Sequence, residues 1–145
     1  MKVPHDAMVV VADGRKLLML RNQGDADHLN LQLVQKELQP NPRTSEQKTD
    51  SSGQAADGQA GQGTMGEPDF HQLEEDRFAA GVAAMLREKV LRNSFESLII
   101  VAPPKTLGEL RKHYHASVTE RLAGELAKDL TGHPLPDIET ALRNG

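Results

Sequence analysis

The carboxylates of the chain are the first residues to test for chemistry, because clustered Asp and Glu side chains can hold the metal ions that cleave phosphodiesters. Asp13 follows a continuous apolar run, and Glu74 and Glu75 lie in a predicted helix. A two-metal nuclease also needs a carboxylate after the fourth predicted strand, where the chain has Ala102-Pro103-Pro104. The carboxylate set is incomplete, so Asp13 is interpreted as a turn residue and nuclease activity is rejected.

Histidines are the next candidates, because imidazole is a common metal ligand. His113 and His115 are separated by one residue at a predicted helix end, so their side chains point in different directions, and His5, His28, His71 and His133 add no ligand at a matching spacing. The chain has no cysteine, which excludes disulfides and thiolate metal sites. We therefore predict no catalytic residue, no metal and no cofactor.

A group of basic residues surrounds one short predicted helix and could contact RNA or phosphate: Lys105, Arg111, Lys112, His113 and His115. The alternative is a solvated helix face whose C-terminal cations favour the helix dipole. The net charge of −4 argues against a general nucleic-acid-binding protein. The basic patch is thus a candidate binding surface, and the solvated face is the favoured interpretation.

Residues 39 to 69 differ in composition from the rest of the chain. They contain SSGQAADGQAGQGTMG, in which Met65 is the one large apolar residue. Such a segment cannot bury enough surface to offset its ordering entropy, so we predict a long, mobile loop. Long loops inside compact domains are often functional, although a tolerated insertion without a role is an equally good explanation.

The elements that flank this loop follow from the apolar patterns. Apolar runs predict strands at Ala7–Ala12, Leu17–Leu20, Leu29–Leu33 and Leu98–Val101. The pair Asp13-Gly14 predicts a tight hairpin between the first two.

Three helices are predicted as well. Capping boxes predict helix starts at Asp69 with Gln72, and at Thr106 with Glu109. The first helix should pack on the sheet through one stripe: Phe78, Val82, Met85, Leu86 and Val90, with Ala79 and Ala83 beside it. The last helix should start near Pro136 and dock through Ile138 and Leu142.

Two long stretches of the sequence resemble a known family. They are VVVADGRKLLML, and the region from Leu98 to Leu142 that begins LIIVAPPKTLGELRKHYH and ends GELAKDLTGHPLPDIETAL. The chain resembles the bacterial "protein required for attachment to host cells" family, which is related to the central domain of archaeal and eukaryotic peptide-chain release factors. This resemblance implies a strand near Arg121 to Ala127, where Ser117 and Glu120 alternatively predict a helix.

The resulting element order is β-β-β-α-β-α-β-α, a mixed sheet with helices on its faces and thus an α/β (α+β) fold. This is the order of ribonuclease-H-like folds, and release-factor central domains are related. With 145 residues, the chain is predicted to be a single domain, 1–145, with the 39–69 loop between the third strand and the first helix. No signal peptide or membrane span is evident, so a cytoplasmic location is expected.

The resemblance also implies where activity would lie. Release factors carry a Gly-Gly-Gln loop before a long helix, and at this place the chain has single-glycine pairs: Gly53 and Gln54, Gly58 and Gln59, Gly61 and Gln62. Adjacent glycines supply a special backbone shape, so this departure is substantive.

The leading hypothesis is a non-catalytic binding module whose partner is the ribosome or another RNA–protein complex. A peptidyl-tRNA or ester hydrolase that uses the Gly/Gln-rich loop is the first alternative. An interaction module that dimerises through a free sheet edge is the second.

Overall fold

We analysed a computed structural model of the chain. The structure describes the backbone of residues 1–37 and 59–145, and the side chains of residues 1–36 and 72–145. In these ranges it contains five strands, β1 (Met8–Ala12), β2 (Leu17–Asn22), β3 (Leu31–Glu37), β4 (Leu98–Ala102) and β5 (Leu122–Ala127). Four helices accompany them, α1 (Gln59–Leu91), α2 (Pro104–His113), α3 (Ala116–Thr119) and α4 (Leu135–Asn144).

The strands form one mixed sheet in the order β3-β2-β1-β4-β5. Strand β2 pairs antiparallel with both β1 and β3, whereas β4 pairs parallel with both β1 and β5. All residues of β1 and β4 are buried, because helices or loops cover both faces of these interior strands. The predicted mixed α/β sheet is confirmed.

Two apolar layers fill the space on either side of the sheet. One layer joins the sheet to α1, α2 and α3, with Phe78, Val82 and Leu107 among its buried members. The other joins the sheet to α4 and the N-terminal segment, with Val3, Ile138 and Leu142 among its members. The predicted stripe of α1 and the predicted docking pair of α4 both lie in these layers.

The β1–β2 hairpin forms as predicted, but its turn is different. Four residues, Asp13 to Lys16, connect Ala12 to its partner Leu17, and of the first two only Gly14 has a positive φ, at 95°. Asp13 Oδ1 instead accepts hydrogen bonds from the N–H groups of Arg15 and Lys16, each at 2.9 Å. The carboxylate thus stabilises the turn from the side, as Asp commonly does.

Both predicted capping boxes are wrong. Helix α1 begins at Gln59, so Asp69 lies inside the helix, and residues 59–69 of the predicted loop are helical. The helix extends over this stretch although Gly61, Gly63, Gly66 and Pro68 disfavour helices, so local composition does not predict where it begins. Helix α2 begins at Pro104, because proline is well suited to the first helical position.

The region after α2 forms the strand that the resemblance implies, and the alternative of a helix capped by Ser117 and Glu120 is wrong. Strand β5 spans Leu122–Ala127, as the resemblance implies, and the one-turn helix α3 precedes it. The N-cap of α3 is His115, whose Nδ1 accepts a hydrogen bond from the Ser117 N–H at 3.1 Å. The described chain therefore has one more short helix than the predicted order.

Candidate functional site

In chain order, the glycine–glutamine pairs follow strand β3 and continue into the first turn of the long helix α1. Gly53, Gln54 and Gly58 fall outside the described residues, while Gln59, Gly61 and Gln62 belong to the first turn of α1. We call residues 50–66, which contain these pairs, the Gly/Gln-rich segment; its last eight residues, 59–66, lie in α1. Three of the six residues in the pairs therefore lie inside the long helix and not before it, because the helix begins ten residues earlier than the predicted start at Asp69.

The basic patch around α2 is paired with carboxylates. Lys105 Nζ lies 3.3 Å from Glu75 Oε2, and Lys112 Nζ lies 3.2 Å from Glu109 Oε1. Arg111 donates to Glu125 from Nε at 3.1 Å and from Nη2 at 2.8 Å. Each of these cations therefore has a nearby counter-charge, which weakens the attraction of the patch for phosphate.

The two histidines of the patch have structural partners. His113 Nε2 lies 2.9 Å from Asp76 Oδ1 on α1, and His115 caps α3. The two histidines are not arranged to bind one metal ion together. Among the described residues, no cluster of three or more His, Asp or Glu side chains could hold a metal ion.

Three polar contacts join α1 to α2, and we call them the α1–α2 seam. They are Gln72 with Glu109 (Nε2 to Oε1, 3.0 Å), Glu75 with Lys105, and Asp76 with His113. The sequence analysis missed this seam. The signal was present, because Gln72, Glu75 and Asp76 have the i, i+3, i+4 spacing of one helix face.

Glu109 is the buried residue of the seam, with 8% of its surface exposed. The hydrogen bond from Gln72 and the contact with Lys112 lower its pKa, while burial acts in the opposite direction. Its Oε2, like Glu75 Oε2, is buried and has no hydrogen-bond donor in the described part of the chain. The pair of Lys105 and Glu75 is therefore an ion contact without hydrogen-bond geometry.

Asp13, rejected above as a catalytic carboxylate, links two loops at the end of the parallel strands. Thr131 Oγ1 donates to Asp13 Oδ2 at 2.9 Å and lies 3.2 Å from Asp129 Oδ1. Partial burial raises the pKa of Asp13, but hydrogen bonds from Lys16, Arg15 and Thr131, with the Lys16 charge, bring it below its usual value. This network stabilises the ionised form and ties the β1–β2 turn to the loop before α4.

The edge strand β3 carries two exposed apolar side chains, Leu33 and Val34, which are 54% and 49% exposed. The register shifts between Met19 and Leu20 of β2, so β3 has an extra residue at Val34. At the start of the strand, Glu139 Oε2 accepts the Leu31 N–H at 2.8 Å. Bulges and side chains that occupy edge groups oppose strand pairing between molecules, so this edge is partly protected against the predicted dimer.

The comparison with protein families identifies the class. The family model described as bacterial archaeo-eukaryotic release factor family 12 matches residues 6–142. The chain belongs to this family. A search of curated proteins found no match. The match covers all five strands of the sheet and includes the Gly/Gln-rich segment, which supports the release-factor part of the resemblance.

No described helix is long and apolar enough to cross a lipid bilayer.

Proposed function

We propose that the chain is a release-factor-type binding module that associates with the ribosome through the Gly/Gln-rich segment, residues 50–66. The observation that carries this proposal is the family match over residues 6–142, which spans this segment together with the fold that holds it. A translation-related role is the coarse expectation for a domain of this family. Ribosome binding is the specific translation-related role that we propose, and this role requires a cytoplasmic location.

The candidate contact residues are those of the glycine–glutamine pairs, Gly53, Gln54, Gly58, Gln59, Gly61 and Gln62. The basic patch of Lys105, Arg111, Lys112, His113 and His115 contributes less than its charge suggests. Three of its cations have carboxylate partners, and exposed paired charges gain little from a second partner. The proposal therefore rests on the segment more than on the patch.

The test is co-sedimentation of the purified protein with bacterial ribosomes across a salt series. We expect salt-sensitive binding for the wild type, and a loss of affinity of at least about tenfold when residues 50–66 are deleted. A variant with Gln54→Ala, Gln59→Ala and Gln62→Ala keeps the length of the segment. It therefore tests whether binding needs the glutamine side chains or only the backbone. Absence of wild-type binding at low salt would contradict the proposal.

Hydrolysis of peptidyl-tRNA or a related ester is the second candidate. The observation in its favour is the position of the glycine–glutamine pairs around the start of α1, and the single glycine in each pair counts against it. A peptidyl-tRNA hydrolysis assay on the same variants distinguishes the two functions. A binding module leaves the substrate intact, whereas a hydrolase turns it over and loses all turnover with the deletion.

A role in attachment to host cells, which the resemblance implies, would be indirect under this proposal. A protein that acts on translation changes attachment through the expression of other proteins. Deletion of the gene should then alter adhesin levels before it alters adhesion.

A further inference from the structure

The outer face of α1 carries apolar residues that the packing of the helix against the sheet does not require. Leu73 and Leu91 are 44% and 70% exposed. They are separated by about five turns of 3.6 residues, so they lie on the same face of α1. Val82, midway between them in the chain, is fully buried and lies on the opposite face. A helix that only covers a sheet has polar residues on its outer face.

Two alanines lie between the leucines on this outer face. Ala80 and Ala84 are each about 20° from the line that joins Leu73 to Leu91, and Ala84 is exposed. We call these four residues the outer stripe. Single exposed leucines are normal on a protein surface, but two leucines aligned about 27 Å apart along one helix form a surface that fits a second helix. Small residues at its centre let two helix axes approach to about 8 Å.

The outer stripe is symmetric about Val82, since its alanines are each two residues from that position and its leucines are each nine residues from it. When a second copy of α1 lies antiparallel across the stripe, Leu73 meets Leu91 of the second copy, and Ala80 meets Ala84 of the second copy. A two-fold axis relates the two copies, so every contact occurs twice. The stripe is thus complementary to itself.

The charged residues beside the stripe are complementary as well. Arg77 and Glu88 lie on one side of it, and Asp76 and Arg87 lie on the other. In the antiparallel arrangement, Arg77 lies beside Glu88 of the second copy, and Arg87 lies beside Asp76 of the second copy. Parallel helices would also pair opposite charges, but antiparallel helices have opposed dipoles, which favours the antiparallel arrangement.

The two carboxylates have room for these partners. The side chains of Asp76 and Glu88 are 49% and 58% exposed. Asp76 contacts His113 through Oδ1 and Glu88 contacts Arg92 through Oε1, so the second oxygen of each carboxylate can accept an arginine. Exposed ion pairs add little affinity, but they favour one arrangement of two surfaces over others.

We propose that the outer stripe of α1 is the interface of an antiparallel homodimer of this chain. A contact about 27 Å long buries roughly 300–500 Å² on each copy, which is below the ~800 Å² per copy of a standard interface. The dimer is therefore weak and reversible, with a Kd on the order of 100 µM. The stripe shares no residue with the Gly/Gln-rich segment, and the dimer does not depend on ribosome binding.

Sedimentation equilibrium of the full chain, from about 10 µM to about 1 mM, tests the interface. The stripe variant is Leu73→Ser with Leu91→Ser. The matched control is Leu33→Ser with Val34→Ser, which alters two similarly exposed apolar residues on the edge strand β3. We expect the stripe variant to raise the Kd of the dimer by at least about tenfold, and the control to change it by less than about twofold.

A wild type that stays monomeric over this concentration range would overturn the proposal. Loss of the dimer in the control variant alone would also overturn it, because the sheet edge would then be the interface.

Cysteine cross-linking tests the register, since the chain contains no cysteine. The Leu73→Cys and Leu91→Cys proteins are mixed at high concentration and treated with a short bismaleimide. We expect covalent dimers to form several-fold faster in the mixture than in either protein alone, because position 73 meets position 91 and like positions are about 27 Å apart. Dimers that form equally fast in each protein alone would contradict the antiparallel register and overturn the proposal.

Discussion

At the scale of single residues, several polar side chains have structural roles that differ from those predicted from the sequence. Glu109 was predicted to be a capping residue, and it is instead a buried carboxylate between two helices. The reason is that α2 begins at Pro104, two residues before Thr106, so Glu109 lies inside the helix, where it accepts a hydrogen bond from Gln72 of α1. Sequence alone identifies a carboxylate near a helix start, but the partner on a distant helix depends on packing.

Tyr114 gives a prediction at this scale, because it is the single tyrosine and the chain has no tryptophan. Its hydroxyl is buried without a hydrogen-bond partner among the described residues. Burial, with the nearby Glu125 carboxylate, raises its pKa well above the ordinary value. The unfolded chain therefore loses the phenol proton first, and the stability contributed by the protonated phenol declines as the pH rises above about 10.

We expect phenolate absorbance to appear only as the native protein unfolds in alkali. Tyr114→Phe should abolish this signal and lessen the alkaline loss of stability. A phenolate titration with a midpoint near 10 in a protein that keeps its native circular dichroism would contradict the prediction.

At the scale of elements, strands were easier to predict than helix boundaries. The runs at β1 and β4 are apolar throughout because both faces are covered, which is a strong local signal. Helix starts depend on competing local signals, and in both cases the helix begins before the predicted capping box. Strand β3 begins at Leu31 and not at Leu29, although Leu29 is buried in the loop before it.

Asn22 explains how this loop is held, and it provides the prediction for this scale. The side chain is fully buried at the end of β2. Its Nδ2 donates to the carbonyls of Val3, Pro4 and Asp25, and its Oδ1 accepts from Gly24 and Asn30. One side chain thus joins the N-terminal segment to the β2–β3 loop.

Asn22→Ala should lower the free energy of unfolding by about 2–4 kcal/mol, because it leaves several buried backbone groups without partners. Chemical denaturation measures this change. Gln23→Ala, at an exposed neighbouring position, is the control and should remain within about 0.5 kcal/mol of the wild type. Equal effects of the two substitutions would contradict the role given to Asn22.

At the scale of the whole molecule, the apolar patterns and the resemblance together predicted the mixed sheet and the release-factor relationship. The candidate site was predicted less completely. The position of the glycine–glutamine pairs follows from chain order, whereas the seam between α1 and α2 joins residues about 30 to 37 positions apart. Contacts at such a separation have no local signature beyond the polar stripe on each helix.

The absence of cysteine allows the most direct test of the account, because one introduced cysteine carries a cross-linker at a unique place. Gln62→Cys places it in the first turn of α1, and Leu91→Cys places it at the exposed far end, with about 44 Å of helix between them. Each labelled protein is irradiated in complex with ribosomes. We predict cross-links to ribosomal RNA or protein from Gln62→Cys and few from Leu91→Cys. Equal yields, or cross-links from Leu91→Cys alone, would contradict the claim that the start of α1 faces the ribosome.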